Sequence, residues 1–142
     1  MPKAPRVNWQ PISQMPLIAG MIKDSLDDTR EHLGTLTKAR DRPHGLDDAT
    51  IDRIERVHTE QMDYVDIYTQ QISRWRGEKP SAAQARELDR MDKQNQQLRA
   101  LTADVLALAS ELREGTIERV LGMSDLELGL RHLLGKQSSN CG

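Results

Sequence analysis

Apolar residues recur at three- and four-residue steps through three long segments, and proline and glycine separate those segments. This spacing leaves few options. Side chains three and four positions apart share one face of an α-helix, so each segment must hide a single stripe against another helix. The first segment, about 16–42, carries Met15, Ile18, Ile22, Leu26, Thr29, Leu33 and Leu36 on its stripe. The second begins at Asp47 or Asp48, either of which can accept from the free N–H groups of a helix start. Its stripe holds Ile51, Ile54, Val57, Met62, Val65, Tyr68, Ile72 and Trp75, and Gly77 is expected to end it in a left-handed cap.

The third segment opens on Ser81 and Gln84, the spacing of a capping box. Leu88, Met91, Leu98, Leu101, Val105, Leu108 and Leu112 follow, closer to a 3.5-residue repeat than to 3.6. Two heptad series describe it: Met91, Leu98, Val105, Leu112, and Gln94, Leu101, Leu108, Gly115. The spacing does not decide whether this helix runs on through Gly115. A second capping-box match, Ser124 to Glu127, is expected to open a short last helix with Leu126, Leu130, Leu133 and Leu134. Strand alternation and solenoid repeats are both missing from the sequence.

Short connections between long amphipathic helices make neighbours antiparallel. The expected fold is therefore all-α: an antiparallel up-and-down helical bundle of three long helices plus a short C-terminal helix. Residues 16–134 would form it. Four prolines, at 2, 5, 11 and 16, mark residues 1–15 as an extended N-terminal arm. Residues 135–142 read as a flexible polar tail.

Composition narrows the function classes. A chain of 142 residues fits one domain. Its aromatics are only Trp9, Tyr64, Tyr68 and Trp75, scant lining for a large cofactor pocket. The net charge of −2 argues against a protein that coats nucleic acid. Lys38 to Arg42 and Arg74 to Arg76 are basic, but cations at helix C-termini complement the helix dipole, and antiparallel helices place the two clusters at opposite ends. Cys141, the single cysteine, excludes an intrachain disulfide and a cysteine-rich zinc site. Neither a secretory signal nor a membrane span is read from the sequence, so a reduced, cytoplasmic setting is expected.

The nearest approach to a metal motif is Glu55 and His58, a Glu-x-x-His pair on the second helix. Carboxylate bundles use such pairs from two helices, and here the pattern occurs once. Glu31 and His32 on the first helix would add ligands if the register allowed. The simpler reading is a histidine at the stripe's edge, with no metal and no cofactor. Interaction with proteins is the leading expectation: a non-catalytic scaffold, adaptor or accessory subunit that binds partners or itself, as a homodimer. Val7, Trp9 and Ile12 of the arm and Ile67 on the outer face of the second helix are the candidate contacts, with Leu128 off the last stripe. The arm has a second reading, in which Trp9 covers the end of its own bundle. Gln94 and Asn95 interrupt the third stripe; a buried amide there would set register or oligomeric state. A metal- or ligand-binding bundle centred on Glu55 and His58 is the alternative, and a nucleic-acid-associated factor the third.

Overall fold

A computed structural model describes residues 7–42 and 46–134, with side chains as far as Gly115. A single 3-10 turn, Ile12–Gln14, leads from the arm into α1 (Met15–Arg40). Then come α2 (Asp48–Arg76) and α3 (Ala82–Leu134). No strand occurs among the described residues. The chain is a helical bundle, as its periodicity requires.

The local signals act where expected. The Asp47 carboxylate accepts from the Thr50 N–H at 2.8 Å and starts α2. At the start of α3, Ser81 and Gln84 exchange bonds, N–H to Oε1 at 2.9 Å and N–H to Oγ at 3.2 Å. Gly77 does not take the left-handed cap. Its φ is −78°, and its N–H bonds the Ser73 and Arg74 carbonyls in a right-handed last turn. The left-handed residue is Lys79, at φ 56°, so the chain reverses two residues later than a glycine cap would place it.

α3 is the shared partner, packing along both α1 and α2, whose own backbones scarcely approach each other. Cross-links between α2 and α3 step in opposite directions along the two helices: Arg76 meets Asp89, Asp66 meets Arg99, Gln61 meets Thr102, and Glu55 meets Arg113. The pair is therefore antiparallel. So is α1 with α2, where Thr29 faces Gln61 and His32 faces His58.

Two apolar clusters fill the bundle. One joins Met15, Ile18, Ile22 and Leu26 to Val65, Tyr68, Ile72 and Trp75, and to Leu88, Met91 and Leu98. The other joins Leu36 to Ile51 and Ile54 and to Val105, Leu108 and Ala109. On α2 the expected stripe fails at one place: Val57 is 45% exposed and His58 is buried at 1%. The inward positions keep an even three- and four-residue step through Ile54, His58, Gln61 and Val65, so an imidazole occupies the core where a valine was expected.

The α3 seam needs a similar correction. Met91, Leu98 and Val105 are buried as the first heptad series requires, with Leu112 packed beside them. The second series runs one residue later than expected, through Leu88, Asn95, Thr102 and Ala109, all fully buried. Gln94 and Leu101 are half-buried, and Gly115 is exposed. Asn95 Nδ2 donates to the Val65 carbonyl at 3.1 Å and to Thr69 Oγ1 at 3.0 Å, while its Oδ1 has no partner.

A separate short fourth helix does not form. α3 is one helix of 53 residues, continuing through Gly115, Gly122 and the Ser124 to Glu127 match. A glycine in a helix costs only about 1 kcal/mol relative to alanine, too little to force a break. The expected tail, residues 135–142 with Cys141, lies outside the described residues.

The arm folds back on the bundle. The Gln10 N–H donates to Gln71 Oε1 at 2.7 Å, and the Gln10 carbonyl accepts from Trp75 Nε1 at 2.9 Å. Trp9 is half-buried under the Arg74 guanidinium, 4.1 Å above its ring centre, a cation–π contact. Ile12 packs against the first cluster, and Val7 is exposed at 37%.

Two substitutions test this packing. Leu98→Ala, at a fully buried seam position, is expected to lower stability by about 2–5 kcal/mol in chemical denaturation. Gly115 has nothing within 4 Å of where a Cβ would stand, so Gly115→Ala should raise the thermal midpoint, by roughly 1 kcal/mol of added helix stability. A midpoint left unchanged by Leu98→Ala contradicts the core, and one lowered by Gly115→Ala contradicts the unbroken helix.

Candidate functional site

Midway along the bundle, between the two apolar clusters, five polar side chains meet across all three helices. α1 supplies Thr29 and His32, α2 supplies His58 and Gln61, and α3 supplies Thr102. Thr29, His58 and Thr102 are buried, and His32 and Gln61 half-buried. A buried polar group costs free energy unless it is bonded, so this layer has to be read atom by atom.

The threonines set the sequence of donors. Thr29 Oγ1 lies 2.6 Å from the Ser25 carbonyl, and Thr102 Oγ1 lies 2.6 Å from the Leu98 carbonyl. A carbonyl only accepts, so each hydroxyl gives its one proton to its own helix and can only accept from elsewhere. Gln61 Nε2 is 2.8 Å from both hydroxyls and donates its two protons to them. His58 Nδ1 sits 3.2 Å from the same nitrogen. An Nδ1–H there would oppose a donor, so the His58 proton belongs on Nε2. That Nε2 is 2.8 Å from His32 Nδ1 and donates to it, leaving the His32 proton on its own Nε2. The two rings meet edge to face at 89°, with centres 5.0 Å apart.

This order holds only for neutral rings. The His58 pKa is pushed down from 6.5 to about 4, first by burial and second by the neighbouring His32.

Glu55 and His58, adjacent on the same helix, serve different contacts. Glu55 accepts from Arg113 Nε at 2.8 Å, Arg113 also pairs with Asp52, and His58 faces α1 instead. The structure therefore does not bring Glu55 to His58. It does bring His32 there, while Glu31 is exposed. Among the described residues, no group of three or more His, Cys, Asp or Glu side chains converges on a point where a metal ion would sit. Of the interaction candidates, Ile67 is half-buried rather than turned fully outward, and Leu128 lies in the stretch whose side chains are not described.

Sequence reasoning passed over Gln61 and Thr102 and gave Thr29 only a place on the apolar stripe. Their signal was weak because they are polar residues at seam positions, visible only once the α3 register is read one residue along. Beside the layer, between α1 and α2, lies an open cleft of about 250 Å³ lined by Ser25, Val57, Glu60, Gln61, Tyr64 and Tyr68. Burial raises the Tyr68 pKa, with Tyr64 adding to it, so Tyr68 stays a neutral phenol. The cleft reaches Gln61 and therefore gives water a route to one edge of the layer.

No known protein family, curated protein or solved structure matches the chain. The geometry alone bears on its role.

The layer makes stability depend on pH, with a definite sign. Unfolded His58 binds a proton near 6.5, and the folded residue resists protonation until about 4. Below 6.5 the unfolded state therefore holds more protons, and stability falls as pH drops. The displacement from 6.5 to about 4 corresponds to about 3 kcal/mol, lost in full only below about pH 4. Urea titrations from pH 7.5 to pH 4 should show this decline in the native protein and a shallower one in His58→Leu. Equal slopes in the two proteins would remove His58 as the cause.

Proposed function

We propose that this chain is a non-catalytic helical interaction protein, a scaffold or accessory subunit of the cytoplasm that associates with a second copy of itself through the far end of α3. The observation that carries this reading is the length of α3. The antiparallel register that sets Glu55 of α2 against Arg113 of α3 places Asp48, the first residue of α2, opposite about residue 120 of α3. The α3 backbone remains helical to Leu134, about 21 Å further at 1.5 Å per residue. α1 ends at Arg40 and α2 begins at Asp48, so neither is long enough to accompany that stretch.

An isolated helix of this length is marginal in water, and most helical stability in proteins comes from packing an apolar face. The heptad positions of the corrected α3 seam fall, in its last part, on Met123, Leu126, Leu130 and Leu133. A repeat of that kind is what a partner helix requires. No helix among the described residues is long and apolar enough to cross a membrane, so a lipid bilayer offers no alternative cover to a spanning α3.

Light-scattering mass at tens of micromolar tests the reading. The full chain should have the mass of two copies, and Leu126→Lys with Leu130→Lys should reduce it to one without loss of helical circular dichroism. A native chain with the mass of one copy contradicts self-association.

A further inference from the structure

We propose that the His32–His58 pair is a proton-operated latch, which holds α1 to α2 at neutral pH and releases that one seam in acid while both helices stay packed on α3. This goes beyond the interaction role and does not depend on it.

The three helix contacts are unequal. α1 and α2 are each held to α3 by extended apolar clusters, whereas their own backbones scarcely approach. The hydrogen bonds between α1 and α2 are those of the polar layer, His32 with His58 and Thr29 with Gln61. The open cleft lined by Ser25, Gln61 and Tyr64 lies along the same seam. The α1–α2 seam is thus the one whose backbones stand furthest apart, and the cleft opens it to solvent.

The bond order of the layer explains why a proton would part it. Added at His32 Nδ1, a proton meets the His58 Nε2–H and removes the acceptor. For the pair to stay bonded, the His58 proton would have to move to Nδ1, where it opposes Gln61 Nε2 at 3.2 Å. Added at His58 Nδ1, a proton meets the same Gln61 donor directly. Either protonation sets two donors face to face, and a buried cation without a partner is costly.

The charged groups on the surrounding helices offer no remedy. On α1, Asp28 and Glu31 are exposed; on α2, Arg56 and Glu60 are exposed and Glu55 is committed to Arg113. On α3, Arg99 is bonded to Asp66 and Asp104 is exposed. Besides burial, only His32 shifts the titration of His58, and it acts against protonation.

Amide hydrogen exchange on the full chain, corrected for the intrinsic effect of pH, tests the latch. With an ordinary histidine pKa in the open seam, opening between pH 7.5 and pH 5 should increase roughly 30-fold. Protection should fall by that factor in residues 25–36 and 55–65 and hold in 85–110. His58→Leu should abolish the acid response. Imidazole nitrogen NMR of the unsubstituted protein gives an independent reading, since both histidines should carry their protons on Nε2 at neutral pH. A protonated His58 Nδ1, a fall in protection shared by all three helices, no fall at all, or the same fall in His58→Leu would each overturn the proposal.

Discussion

Everything in this bundle hangs on α3. A helix that packs two partners on two sides must be apolar over a wide arc, and α3 meets that need with a seam from Leu88 to Leu112. Because α1 and α2 lean on α3 more than on each other, the chain behaves as two helix pairs sharing one member. The surface of α3 that faces neither pair is free to carry ions, and Arg99 and Arg113 reach from there to α2. These exposed pairs fix direction and register more than they add stability.

The polar layer follows from the same arrangement. Between the two apolar clusters, Thr29, His32, His58, Gln61 and Thr102 take core and seam positions, each with a donor or acceptor to satisfy. Gln61 touches both of the other helices at once, through Thr29 and Thr102. A layer of this kind permits few alternatives: slide one helix by a turn and several buried atoms lose their partners. Apolar contacts alone would tolerate such sliding far better.

Much of the architecture was legible in the sequence because it depends on local rules. The α1 stripe, the Asp47 cap and the Ser81–Gln84 box are properties of a few neighbouring residues, and the structure has all of them. Most of the misses share one cause: judging burial by residue type alone. Val57 reads as core and His58 as edge, yet their positions on the helix exchange those roles. Asn95 reads as an interruption of a seam and Thr102 goes unread, yet both are regular members of it. Gly77 reads as a left-handed cap, while the reversal falls on Lys79. The candidate site was half visible: His58 and His32 were singled out, but their pairing depends on a helix register that no single segment contains.

The Arg113 clamp bears on how the molecule would respond to being pulled. Arg113 holds Asp52 and Glu55 near the start of α2, and α3 runs on from there to Leu134 as a long lever. Tension applied crosswise at the far tip of α3 would be multiplied there and fall on two charged contacts near the surface. Whatever grips that tip would peel the first turns of α2 away before disturbing the tryptophan end of the bundle, where the arm is tied down by Gln10.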